Sequence, residues 1–207
     1  EYLDKLTDTD LTIDEILPKM RFNVAVGQNY FMEMAKMRAY RVLWANIAKA
    51  YGAKEENAKM LIHAFNAQIN MSLYDSYVNM LRTTTGSMSA ILGGVHSFSV
   101  TPFDMVYEPS TEFAERIARN QQLILKEESH FDKVADPAAG SYYIENLTDS
   151  LVKAAWDLFL QIQEEGGYLA ALRKGTIQKM VKENAAKRLN NVATRREIIL
   201  GTNQFPN

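Results

Sequence analysis

Phe22-Asn23-Val24-Ala25-Val26-Gly27-Gln28-Asn29-Tyr30 is the stretch on which the fold turns. Its first five residues are a short, largely apolar run closed by Gly27, which reads as a buried strand. Immediately afterwards the period becomes helical. Over residues 30–51, Tyr40, Leu43, Trp44, Ile47 and Tyr51 fall on one face, and Gly52 supplies the C-cap. Strand followed by helix is the repeating unit of a parallel sheet.

Working outward, two more such runs appear. Met60-Leu61-Ile62-His63-Ala64-Phe65 is the second, and residues 95–100 are the third, preceded by Gly93-Gly94 and ended before Pro102. Helices are predicted between and after them. One covers residues 75–92, weakened by Gly86; another starts at the N-cap Thr111 and runs to about Glu127, with Phe113, Ile117 and Ile124 on its inner side. Thr148 is expected to cap residues 149–165, where Leu151, Ala155, Leu158 and Ile162 form a stripe ended by Gly166-Gly167. A last helix is expected over residues 177–191, and Ile198-Ile199-Leu200 is a short strand or extended tail. The alternation predicts an α/β fold with a parallel array. Eight such units, roughly 250 residues, make a (β/α)8 barrel; this chain supplies three, followed by a helical extension. The organisation expected is therefore βα units over residues 1–112 and closing helices over residues 113–207.

The 207 residues are 47% hydrophobic and 23% charged, as in an ordinary globular chain. Lys plus Arg (23) nearly balance Asp plus Glu (25), a net charge of -2, which speaks against a nucleic-acid partner. No cysteine is present, excluding disulfides, thiolate metal sites and cysteine nucleophiles, and the reducing cytoplasm is the compartment expected. Glu1-Tyr2-Leu3-Asp4 is acidic, resembles the middle of a helix rather than a signal peptide, and suggests a piece of a longer protein. The longest uncharged run, Thr83 to Phe103, is broken by Gly86, Gly93-Gly94, two serines and Pro102, so buried core rather than membrane is expected.

Few residues could carry chemistry. His63 and His96 fall in predicted strands, where they could face an interior, but as hydrogen-bonded structural histidines rather than bases; His130, beside Glu127-Glu128, reads as a loop residue. No histidine has a second ligand at metal-site spacing. The glycine pairs lack the Lys-Ser/Thr of a phosphate loop and read as turns. Arg116 and Arg119, one turn apart, could grip a phosphate or form a solvated face. Met34, Met37, Met60, Met71, Met80 and Met88 read as core filler. These residues alone give a parallel α/β piece without an assigned activity.

Longer stretches add a resemblance. The run from Phe22 through Met32-Glu33-Met34-Ala35-Lys36-Met37-Arg38-Ala39-Tyr40-Arg41-Val42-Leu43-Trp44-Ala45, then Tyr77-x-Asn79-x-x-Arg82-Thr83, Phe113-x-x-Arg116-Ile117-Ala118-Arg119-Asn120, Asp136-Pro137-x-x-Gly140-Ser141 and Glu165-Gly166-Gly167, resembles the acyl-CoA-binding barrel of methylmalonyl-CoA mutases along nearly the whole chain. The resemblance implies that the three strands are the last three of a (β/α)8 barrel. It also implies an isomerase complex that interconverts methylmalonyl-CoA and succinyl-CoA with adenosylcobalamin, the cofactor supplying the radical chemistry. The cofactor domain of active members carries Asp-x-His-x-x-Gly, which this sequence lacks.

Position by position, the resemblance points to a small, non-catalytic subunit. The active pattern Arg-Thr-His-x-Gln-Thr-Ser-Gly falls on Leu61-Ile62-His63-Ala64-Phe65-Asn66-Ala67-Gln68, so His63 is retained while Phe65 stands for Gln. The active His-Thr-Asn-x-x-Asp-Glu falls on Ser99-Val100-Thr101-Pro102-Phe103-Asp104-Met105, so Thr101 and Met105 replace the Asn and Glu that hold the deoxyadenosine ribose. His63, Phe65, Thr101 and Met105 are thus the expected vestigial site, with Phe65 and Met105 filling ligand volume. No catalytic, cofactor or metal residue is expected, adenosylcobalamin being held in the complex by a large catalytic subunit in a heterodimer. A fragment of an active mutase subunit is the alternative, and a stand-alone CoA-binding module a weaker third.

Overall fold

A computed structural model describes residues 1–205. In chain order the main elements are α1 (Tyr2–Thr7), α2 (Ile13–Ile16), β1 (Phe22–Val26), α3 (Tyr30–Ala50), β2 (Ile62–Asn66), α4 (Asn79–Leu92), β3 (Ser97–Ser99), α5 (Glu112–Leu123), α6 (Tyr142–Glu164), α7 (Tyr168–Lys174) and α8 (Thr176–Ala193). The three strands form one parallel sheet in the order β1-β2-β3. Asn23 lies beside His63, which lies beside Ser97; Ala25 lies beside Phe65, which lies beside Ser99. The α/β class and the parallel neighbours expected from the alternation are present.

Side chains alternate across each strand. Val26, Ile62 and Ala64 point to the helices and are buried with Met37, Trp44, Ala48 and Ala90, and Leu3, Ile16 and Leu17 close the core from the N-terminal side. Phe22 meets Trp44 edge to face at 4.7 Å. A second cluster of Met34, Ala35, Ala138 and Ile144 joins α3 to α6, locked by Arg38, which pairs with Asp136 and with Glu145. Met34, Met37 and Met60 are core filler, as their spacing suggests.

Several boundaries differ from the sequence reading. β2 starts at Ile62 rather than Met60 and ends at Asn66, and β3 has only three residues. His96 precedes β3: its ring Nδ1 accepts the Ile62 N–H at 3.2 Å, so it closes the start of the sheet rather than facing an interior. Thr148 is not a cap. α6 begins six residues earlier, with Ser141 at its N-cap, and the Thr148 hydroxyl donates back to the Ile144 carbonyl at 2.7 Å. Thr111 does cap α5, its hydroxyl accepting the Ala114 N–H. The buried face of α5 is, however, Ala114, Ala118 and Gln121, while Phe113 and Ile124 are exposed. Gln121 is drawn inward because the Thr83 hydroxyl donates to its Oε1 at 3.1 Å and its Nε2 donates to Ser87 Oγ at 3.2 Å. Gly86 does not break α4; a Cβ there would stand 2.9 Å from Asn66 Nδ2, so glycine lets the helix approach β2.

Candidate functional site

The face of the sheet turned away from the helices carries Asn23, Ala25, His63, Phe65, Ser97 and Ser99. All are exposed except His63, which is half-buried. His63 lies between two serines of the neighbouring strand, Nδ1 at 2.8 Å from Ser97 Oγ and Nε2 at 3.3 Å from Ser99 Oγ. One ring nitrogen can accept a hydroxyl proton while the other donates. No carboxylate hydrogen-bonds to the ring, so the arrangement lacks the third member that orients a general base.

Phe65 projects from the same face at the C-terminal end of β2 and is 38% exposed. Met105 lies in the turn after β3, 50% exposed, its sulfur 3.7 Å from Gln68 Nε2. The two side chains stand at the same end of the sheet, yet neither is buried among the described residues. Thr101 is buried and turned inward. Its N–H donates to Asn66 Oδ1 at 3.1 Å and its hydroxyl to the Asn66 carbonyl at 3.3 Å. Next along, Asp104 is 1% exposed, and its Oδ2 accepts the Thr111 N–H at 2.8 Å and hydroxyl at 2.7 Å. Burial pushes its carboxyl up, but the Thr111 bonds outweigh it and hold the group below the usual carboxylate range.

Beside this end lies a cleft of about 630 Å³ between the loops after β1 and β2 and the C-terminal segment, which no sequence pattern announced. Its charges are already neutralised. Lys36 pairs with Glu33 and donates to the Ala25 carbonyl at 2.8 Å, and Arg188 pairs with Glu197 at 2.8 Å and bonds Asn70 Oδ1. Arg116 and Arg119 are exposed on α5, and Arg116 stacks 5.5 Å from the Phe113 ring centre rather than forming an anion grip with Arg119. Among the described residues no group of three His, Asp or Glu side chains could hold a metal ion, and no helix is long and apolar enough to cross a membrane.

These side chains do not fit a deoxyadenosine ribose. The Thr101 hydroxyl and N–H and the Asp104 carboxylate are committed to the protein itself, and Met105 offers only a thioether, a weak acceptor.

Comparison with known proteins agrees with this architecture. The family model described as methylmalonyl-CoA mutase matches residues 1–207. The chain is 54% identical over 209 residues to the methylmalonyl-CoA mutase small subunit of Porphyromonas gingivalis, which covers 100% of this chain and 34% of the relative. It is 41% identical to the methylmalonyl-CoA mutase small subunit of Streptomyces virginiae, over 100% of this chain and 33% of that protein. To the methylmalonyl-CoA mutase of Rhizobium meliloti it is 37% identical, over 99% of this chain and 29% of that one. The chain thus spans about a third of the length of the curated relatives it matches. With the whole chain matched by the family model and a parallel βα array of the expected order, the chain belongs to the methylmalonyl-CoA mutase family.

Proposed function

We propose that this chain contributes the last three βα units of an acyl-CoA-type (β/α)8 barrel in a methylmalonyl-CoA mutase small subunit. In this reading the barrel is structural. It pairs with a large catalytic subunit that holds adenosylcobalamin and interconverts methylmalonyl-CoA and succinyl-CoA. The barrel is supported by the parallel order, by a sheet with one helix-covered and one bare face, and by free edges on β1 and β3. Parallel sheets are stable when both faces are covered, and a barrel leaves no edge.

The observation that carries the non-catalytic part is the state of the polar groups at the strand ends. Barrel enzymes build their sites there. Here the positions the family uses for ligand contacts hold Phe65 and Met105, and Thr101 is closed onto Asn66. His63, retained between Ser97 and Ser99, acts as a structural link between β2 and β3.

Reconstituting the complex with the large subunit and measuring bound adenosylcobalamin and acyl-CoA per complex tests this reading. One cobalamin per pair of subunits is expected, with the Phe65→Gln variant leaving turnover unchanged. Two cobalamins per pair, or a cobalamin spectral shift on this chain alone at micromolar affinity, would overturn it in favour of an active fragment.

A further inference from the structure

Charge is unevenly spread along the chain. Residues 173–197 hold eight of the 23 basic residues and two of the 25 acidic ones, a local net charge of +6. That leaves 15 basic and 23 acidic side chains, or -8, for everything else. The basic stretch covers the end of α7, all of α8 and the turn beyond it.

None of the 18 residues of α8 is buried. Val181 is 62% and Leu189 68% exposed, and Ala185 stands between them at one-turn spacing, so the three form a continuous apolar stripe in water. Lys182 and Lys187 make no ion pair among the described residues, and Lys179 reaches Glu183 only at 3.9 Å. Arg188 is the cation of the helix that is tied down, to Glu197 and Asn70. Helices in water are held chiefly by packing one face against something else, and here the outer face has nothing to pack on.

We propose that α8 is a docking helix that seats in an acidic, apolar-floored groove of the partner mutase subunit. This inference rests on the heterodimer reading above. Apolar anchors at i, i+4 and i+8 are how a helix reads a groove, and the flanking lysines match an acidic rim that would steer the encounter. At about 1.5 Å per residue, α8 is roughly 27 Å long. A groove of that length is commensurate with one side of a standard interface, about 800 Å². Nucleic acid is disfavoured because phosphate contacts would leave the Val181, Ala185 and Leu189 stripe in water. A lipid surface is disfavoured because α8 has no aromatic residue to insert.

The test is binding of the purified chain to the methylmalonyl-CoA mutase large subunit from the same genome, by biolayer interferometry at low and high ionic strength. Leu189→Asp and the Lys182→Glu/Lys187→Glu pair are each expected to weaken binding at least tenfold, the wild type weakening with salt. Lys153→Glu on the exposed side of α6 should bind as the wild type does, and circular dichroism should show all variants folded. Wild-type binding unaffected by the α8 variants overturns the docking helix while leaving the heterodimer standing. No wild-type binding overturns both. Binding instead to tRNA or anionic vesicles, abolished by the lysine variants, makes α8 a polyanion site and also overturns the proposal.

Discussion

Asn79 offers the sharpest test of how the loops at the strand ends are held. It is fully buried, and all four hydrogen-bonding positions of its amide are filled. Its Oδ1 accepts from the Ser72 N–H at 2.9 Å and from Arg82 Nη1 at 2.8 Å, while its Nδ2 donates to the carbonyls of Ser72 at 2.9 Å and Phe103 at 3.1 Å. One side chain therefore joins the loop after β2, the start of α4 and the turn after β3. Asn79→Ala leaves three backbone groups unpaired on Ser72 and Phe103, both nearly inaccessible to water. At about 1–3 kcal/mol per unsatisfied buried group, and allowing for relaxation, the loss should be on the order of 3–5 kcal/mol. For a chain of this size that corresponds to a fall in Tm of roughly 6–15 °C. Asn79→Asp keeps one acceptor but turns a charged oxygen toward two carbonyls, so it should be no more stable than Asn79→Ala. Urea unfolding followed by near-UV circular dichroism, with m unchanged, measures both. A loss for Asn79→Ala of less than about 1 kcal/mol, or an Asp variant clearly more stable than the Ala one, would refute the four-bond network.

Further outcomes follow from other contacts. The Tyr51 hydroxyl donates to the Asp4 carboxylate, which pushes its pKa up to about 12. Because the folded value lies above the ordinary 10, this contribution is complete below pH 10 and is lost between about 10 and 12; Tyr51→Phe should remove that slope from a pH series of urea midpoints. Arg38→Met, which frees Asp136 and Glu145, should cost about 1.5–3 kcal/mol and speed limited proteolysis between residues 130 and 141. Gly201→Ala should loosen the C-terminal turn, seen as faster hydrogen exchange over residues 198–204, since φ is +75° and a Cβ would stand 2.5 Å from Asp75 Cβ. Phe65→Ala should cost about 2 kcal/mol more in the full-length subunit than in this chain, judged by the shift in urea midpoint in each; equal losses would show that no further polypeptide covers Phe65.

What the sequence disclosed is what short-range periodicity encodes. The run from Phe22 to Val26, the helix that follows it and the Thr111 cap are local, and each is present. Periodicity failed where polar residues go inside. Gln121 and Asn66 were read as surface because a sequence cannot show that Thr83, Ser87 and Thr101 wait for them across the fold. Thr148 looked like a cap, since Thr before an acidic residue usually is one, but a helical threonine can also bond the carbonyl one turn back. α7 was missed because seven residues between Gly167 and Gly175 hold too few turns for a visible stripe. At the site, Phe65 and Met105 could be named from resemblance, but their exposure could not. The charge-paired cleft beside them arises from α8 and its turn folding back, a contact between residues 118 positions apart in the case of Arg188 and Asn70.

The bare sheet face ties these observations together energetically. A Phe side chain has about 200 Å² to bury, and Phe65 leaves 38% of its surface open, so about 75 Å² remains, or about 2 kcal/mol at 25 cal/mol per Å². That is a large fraction of a marginal stability, and it sits on a face where the other side chains are small or hydroxylic: Ala25, Ser97 and Ser99. A catalytic barrel interior needs polar groups left free for a ligand, and such groups cost energy whenever the ligand is absent. Here the serines are bonded to His63, Thr101 to Asn66 and Asp104 to Thr111, so nothing polar at the strand ends waits for an occupant. Covering this face would gain apolar burial at Phe65 without stranding a hydrogen bond, which is the balance expected of a barrel kept for assembly rather than for chemistry.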